Sequence, residues 1–341
     1  MGKYRICVIP GDGIGPEVTN ATLLVLKKIQ ELSPSFEAEV EVAYAGDCCL
    51  KEYGEPLPRE TLKKILSSDA TLKGPVGESA ADVIVRLRRE LDLYANVRPF
   101  KTYPGVNSVA GFADFVIVRE NTEGLYKGFE FTLKGELAVT LRVITRKCCK
   151  RIARFAFELA RKRRKKVTAV HKANVMRATC GLFARVCRET AREYGDVTYE
   201  EMYVDACAME LIRNPRRFDV IVTTNMFGDI LSDEAAQVVG SLGIAASGNI
   251  GDKYAIFEPV HGAAPDIAGK GIANPLAMIL SLKMMLEWFD ERRLANLLEK
   301  AVILTLKEDR VLTPDLGGNA KTVEVARAVC RRLGLLAKRQ N

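Results

Sequence analysis

Short β-branched runs that alternate with stretches of helical period constrain this chain more than any other feature. The runs Tyr4–Pro10, Glu39–Ala43, Ala70–Leu72, Phe115–Val118, Val167–Val170 and Val220–Thr224 suit strands and are too short for helices. Helical spacing of apolar residues falls between or after them, at Val18–Leu32, Arg59–Leu66, Ala80–Leu91, Leu276–Phe289 and Arg293–Leu306. Alternation of this kind predicts an α/β fold on a largely parallel sheet. A length of 341 residues exceeds one ordinary core, and the 48% apolar content is enough to build two domains.

Charge and cysteine usage narrow the function classes. Net charge is +8, and Arg161–Lys166 is an unbroken basic run. It follows an amphipathic pattern, where cations suit a helix C-terminus, and no stacking aromatics interleave it. We read it as a solvated helix end and expect no nucleic-acid partner. No 18-residue apolar run and no leading basic-then-apolar segment occur, so a soluble cytoplasmic protein with no membrane partner is expected. Nine cysteines without zinc-type spacing predict free thiols in a reducing compartment.

The chemistry concentrates at Phe218–Gly243. Asp229 and Asp233 stand four residues apart after a strand-like run, on one helix face and with apolar flanks. Like charges at that spacing repel by roughly a few tenths of a kcal/mol, and no Lys or Arg lies between Phe218 and Asp252 to offset them. Such a pair suits a hard divalent cation, Mg²⁺ or Mn²⁺. Arg88, Arg98 and Arg119 each end or border an apolar segment, where a guanidinium needs an anionic partner. As a set they predict a receptor for a di- or tricarboxylate. A cleft of this kind also needs a proton donor and acceptor, and Tyr126 and Lys172 stand in polar loops after strand-like runs. The glycine-rich stretch after Gly243 carries Asn249, Glu258, His261, Asp266 and Asn274, and reads as a loop wrapped round a polar cofactor. GDGIG near the start has GxGxG rather than GxGxxG spacing, a weak dinucleotide signature.

IPGDGIGPEV, VRENTEGLY, HKANV, YVDACAM, FDVIVTTNMFGDILSDEA and FEPVHGAAPDIAGKGIANP together resemble the β-decarboxylating dehydrogenases of isopropylmalate, isocitrate and homoisocitrate. The resemblance implies two α/β domains unlike a Rossmann fold, the chain passing from residues 1–98 to 99–239 and back through 240–341. It implies a homodimer with shared active sites, with association into tetramers left open. Substrate arginines fall on Arg88, Arg98 and Arg119, with Ile84, Val85, Asn174 and Val175 nearby. The catalytic pair falls on Tyr126 and Lys172, and the metal aspartates on Asp205, Asp229 and Asp233, with Lys172 and Asp205 coming from the partner. Cofactor contacts fall on Asn249, Glu258, His261, Gly262, Ala264, Asp266, Ile267 and Asn274. NAD-using members carry Asp and Ile where this chain has Asp266 and Ile267, whereas NADP-using bacterial isocitrate enzymes carry Lys and Tyr.

RENTEG and HKANV favour the isocitrate and homoisocitrate members. Val83, Ile84 and Val85 instead form an apolar wall one turn before Arg88, which disfavours a third carboxylate and suits a branched alkyl group. The glutamate that bacterial isopropylmalate enzymes carry before this wall aligns with Ala81. The expectation is therefore 3-isopropylmalate as substrate, with homoisocitrate or isocitrate as the alternative. A non-catalytic regulatory subunit is the alternative from another class, and retention of Tyr126, Lys172 and all three aspartates argues against it.

Overall fold

The computed structural model describes residues 2–338. In chain order the strands are β1 (Gly2–Ile9), β2 (Phe36–Val42), β3 (Ala70–Lys73), β4 (Ala95–Lys101), β5 (Asp114–Glu120), β6 (Glu130–Leu133), β7 (Leu137–Thr140), β8 (Lys166–His171), β9 (Thr198–Tyr203), β10 (Val220–Thr223), β11 (Ala246–Ile250) and β12 (Ala255–Pro259). The helices are α1 (Gly15–Leu32), α2 (Asp47–Tyr53), α3 (Arg59–Ser67), α4 (Arg86–Glu90), α5 (Arg146–Arg161), α6 (Thr179–Ala191), α7 (Val204–Arg213), α8 (Asn225–Val239), α9 (Leu276–Trp288), α10 (Arg292–Leu304) and α11 (Thr322–Lys338).

All the strands except β6 and β7 join one sheet in the order β2-β1-β3-β12-β11-β4-β5-β10-β8-β9. The β2-β1-β3-β12 and β5-β10-β8-β9 blocks are parallel, as the alternating pattern predicts. The centre is not, because β11 and β4 run antiparallel to their neighbours. This corrects the reading of the glycine-rich stretch as loop from its start: Asn249 and Glu258 lie on the central strands β11 and β12 and are 0% and 6% exposed. Their polar side chains belong in the core because other buried polar groups meet them there.

The chain lays down β1 to β3, crosses through β4 and β5 to build the β8–β10 side, then returns as β11 and β12. The expected crossing at 98/99 falls inside β4, which pairs with β5 from Ala95 opposite Glu120 to Lys101 opposite Asp114. One apolar core fills the space between the sheet and α1, α9, α10 and α11, through residues such as Ile6, Leu26, Met285 and Val329. Another packs α5 and α6 on β5, β8 and β10 through Phe157, Phe183 and Val222. The predicted helix Ala80–Leu91 is shorter and irregular, a π turn over Ala81–Val85 followed by α4.

The basic run is a network of ion pairs at the end of α5. Arg161 meets Asp196 at 2.8 Å, Arg163 meets Asp114 and Asp219 at 2.7 and 2.8 Å, and Lys166 meets Glu200 at 3.1 Å.

Candidate active site

β10 ends at Thr223 and α8 starts two residues later, which aims the first turns of α8 across the carboxyl end of β5 and the adjoining start of β4. The missing countercharge for Asp229 comes from those strands. Asp229 accepts hydrogen bonds from Arg98 Nη1 at 3.3 Å, from Arg119 Nη1, and from the Tyr126 hydroxyl at 2.5 Å. Burial opposes its charge, but Arg119, Arg98 and the Tyr126 hydroxyl outweigh burial and hold the carboxyl below its usual range. Asp233 has no such partner among the described residues. Burial pushes its carboxyl up, although the residue is exposed at the surface. Burial, with the bond to Asp229, also pushes the Tyr126 phenol up, so it stays protonated at neutral pH.

Gly228 makes this arrangement possible. A Cβ there would stand 2.7 Å from Cβ and Cγ of Arg119, so only glycine lets that side chain lie along the helix. Arg119 is 1% exposed, and its remaining donors go to Asn225 Oδ1 at 3.0 and 2.7 Å. In this structure Arg119, one of the three expected substrate arginines, is engaged with Asp229 and Asn225. A buried guanidinium turns to the nearest carboxylate and amide oxygens because leaving its donors unmet is costly.

Arg88 and Arg98 do line a cleft of about 290 Å³, together with Lys73, Tyr126, Asp229 and His261. Arg88 Nε donates to Asn249 Oδ1 at 2.9 Å and Nη2 to Glu258 at 3.3 Å. Asn249 also accepts from Asn96 and Asn121, each at 2.9 Å. Its place is thus behind Arg88, and it lines neither this cleft nor the larger pocket described below. Glu258 lines the cleft and pairs with the buried Lys73 at 2.7 Å. Arg98 Nε is buried with no hydrogen-bond partner, an open donor on a residue that lines the cleft. Ile84 and Val85 form one wall, whereas Val83 is 0% exposed in the core beneath, a correction that reduces the predicted wall to two residues.

A second pocket, about 670 Å³ and mostly apolar, adjoins this cleft across His261 and Gly262. His261, Gly262, Ala264, Ile267 and Asn274 line it, as the sequence predicts, while Asp266 is exposed beside it and does not. Its other walls, Ile14, Leu242 and Asp315, escaped the sequence reading. Ile14 belongs to the glycine turn set aside as a weak signature, and its N–H donates to Ala263 O at 2.8 Å. Asp315 ties three segments together, accepting from Ser241 at 2.6 Å, Thr313 at 2.5 Å and Asn274 at 3.0 Å. Burial pushes the His261 imidazole below its usual range, and its Nε2 is buried without a partner. An apolar slot with an unmatched imidazole nitrogen at its inner end fits a flat heteroaromatic ligand with polar substituents.

Lys172 and Asp205 pair with each other at 2.5 Å and line neither cavity. Among the described residues no three His, Cys, Asp or Glu side chains cluster. One chain thus brings together Asp229 and Asp233 and leaves Asp205 apart. Asn174 and Val175, on the loop after Lys172, are exposed and also away from the cleft. All nine cysteines are free thiols, and burial pushes Cys7 and Cys207 up to about 12. No helix among the described residues is long and apolar enough to cross a membrane.

Known proteins share both the sequence and the architecture. A family model described as isocitrate/isopropylmalate dehydrogenase matches residues 5–329. The 3-isopropylmalate dehydrogenase of Archaeoglobus fulgidus is 56% identical over 332 residues, covering 96% of this chain and 99% of the relative. That of Sulfurisphaera tokodaii is 54% identical over 338 residues, covering 97% and 99%. A crystal structure of isocitrate dehydrogenase from Methylococcus capsulatus superposes with a TM-score of 0.92 at 44% identity, covering 97% of this chain and 99% of that one. The chain belongs to the isocitrate/isopropylmalate dehydrogenase family, the enzymes whose motifs it carries in order from Ile9 to Pro275.

Proposed function

We propose that this chain oxidatively decarboxylates 3-isopropylmalate to 4-methyl-2-oxopentanoate and CO₂, the leucine-biosynthetic reaction, with NAD and Mg²⁺ or Mn²⁺ and as a homodimer. The observation that carries the substrate is the pairing of two cleft-lining guanidiniums with the apolar wall of Ile84 and Val85. A third carboxylate against that wall would go unpaired at a cost of several kcal/mol, whereas a branched alkyl group gains roughly 1–3 kcal/mol there.

Asp229 and Asp233 offer hard oxygen donors one turn apart, and among the described residues Asp233 has no ion-pair partner, so the pair fits a divalent ion. The third donor, Asp205, and the base, Lys172, would come from a second copy. Exposed apolar residues near them, Val175, Tyr203, Met209 and Ile212, support a covered surface at that place. When bound, the dinucleotide accepts a hydride and the cation supplies Lewis acidity at the substrate oxygens.

The protein's own groups do the rest. Arg88 and Arg98 hold the carboxylates, Arg98 through the Nε donor now unmatched. Lys172 takes the hydroxyl proton as the alcohol is oxidised. Loss of CO₂ leaves its bonding pair on the adjoining carbon as an enolate, and Tyr126, held protonated beside Asp229, returns a proton to that carbon. Asp266, exposed beside the larger pocket, would accept from ribose hydroxyls and repel a 2′-phosphate, which supports NAD over NADP.

Homoisocitrate or isocitrate is the second reading. Lys73, a cation lining the same cleft, favours it, and the 2.7 Å bond that commits Lys73 to Glu258 ranks it second. Steady-state kinetics on the three acids, with NAD and NADP and with and without EDTA, tests the reading. We expect the highest kcat/KM with isopropylmalate and NAD, no turnover in EDTA, and a shift toward the tricarboxylates in Val85→Arg. A higher wild-type kcat/KM on either tricarboxylate would overturn the substrate assignment.

A further inference from the structure

The cations of the run at the end of α5 have carboxylate partners. Three arginines that converge on one groove do not. Arg310, Arg327 and Arg331 line a groove of about 630 Å³ with Gly317, Gly318 and Asn319, and among the described residues none of the three is ion-paired. Arg327 and Arg331 lie one turn apart on α11, where like charges repel. The next residue, Arg332, turns elsewhere and meets Asp309 at 2.6 Å and Glu308 at 2.9 Å. Arg310 ends the π turn Thr305–Asp309 in the left-handed conformation, φ 51°, which is unfavourable for a residue with a Cβ.

The groove also presents backbone donors. The N–H groups of Gly317, Gly318 and Ala320 are taken by Pro314, Thr313 and Leu312, but among the described residues that of Asn319 has no acceptor. The single carboxylate in the lining, Glu324, accepts from the Lys321 N–H at 2.8 Å. Three unmatched guanidiniums around a concave surface, one of them held in a strained backbone, constitute an arrangement that an anion would stabilise.

We propose that this groove is an anion site separate from the candidate active site, and that it takes a compact polyanion bearing two or more phosphate or carboxylate groups. Its wall, Val311–Ala320, is the loop whose Pro314 and Asp315 line the 670 Å³ pocket. An occupant that fixes this loop also fixes the Asp315 contacts to Ser241 and Asn274. Binding in the groove therefore changes dinucleotide affinity, a consequence that rests on reading the larger pocket as the dinucleotide site.

The test is calorimetric titration of pyrophosphate, with citrate in parallel, into the purified protein at low salt. Saturable binding of either anion is expected, weakened at least tenfold in Arg327→Ala/Arg331→Ala and in Arg310→Gly. The residues are exposed, and unchanged thermal melting confirms that each variant is folded. The proposal is overturned by absence of saturable binding or by equal binding in the folded variants. Failure of NAD to bind the wild type would count against the dinucleotide reading alone, because the pyrophosphate titration does not depend on it.

Discussion

Glu258 sits where two cations and an amide meet: Lys73 at 2.7 Å, Arg88 at 3.3 Å and Asn249 Nδ2 at 2.7 Å. Burial opposes its charge, but Lys73 and Arg88 prevail and hold the carboxyl at about 2, against an ordinary 4.5. The folded value lies below the unfolded one, so the contribution to stability is complete above about pH 4.5 and is lost as pH falls toward 2. Glu258→Gln leaves Lys73, 2% exposed, without its counterion, and should destabilise the fold by about 3–5 kcal/mol at pH 7. Its melting temperature should also fall less steeply than the wild type's below pH 4.5, and adding Lys73→Met should recover part of the loss. Scanning calorimetry from pH 7 to 3 decides this, and a variant as stable as the wild type at pH 7 would show that the pair contributes nothing. The same residue shows why some of the site was hidden in the sequence. Charged residues at the edges of apolar segments marked Arg88, Arg98 and Asp229, but Asn249 lies among glycines and small residues and Glu258 just before Pro259, contexts shared by loops and by strands that carry a buried polar network.

The hairpin of β6 and β7 is the element least explained by this chain alone. Phe131, Leu133 and Leu137 are each at least 50% exposed, with Phe129 and Leu141 beside them. An isolated two-stranded hairpin is marginal in water, and an apolar patch of this kind marks an interaction surface. Phe131→Ser with Leu137→Ser should weaken self-association at least tenfold, read by sedimentation equilibrium across protein concentration; an unchanged dissociation constant would remove the hairpin from the interface. The sequence reading stopped short of this element, treating the stretch after Arg119 as a polar loop, because strand assignment relied on apolar runs that fill a core within the same chain. By contrast α8 was legible as a helix carrying both aspartates on one face, since its period, its flanking strand and its aspartate spacing all agree, although it begins at Asn225, ahead of Gly228. The π turn at Ala81–Val85 was not, because the sequence gives helical period there without revealing how tightly the turn is wound.

For the whole molecule, the separation of Lys172 and Asp205 from the cleft bears directly on activity. Chains carrying Lys172→Ala and chains carrying Asp229→Ala should each be inactive as pure dimers. In a mixed dimer one site draws intact residues from both chains, so an equal mixture after subunit exchange should regain roughly a quarter of wild-type activity. No recovery after verified exchange would place the whole site within one chain. The path of the chain has another consequence. Ile256 of β12 pairs with Thr71 of β3, and α1 packs against α11. During synthesis the first hundred residues therefore emerge with their central neighbours and closing helix still unmade, while the strands from β5 to β10 can assemble on the ribosome ahead of the segment that began the protein.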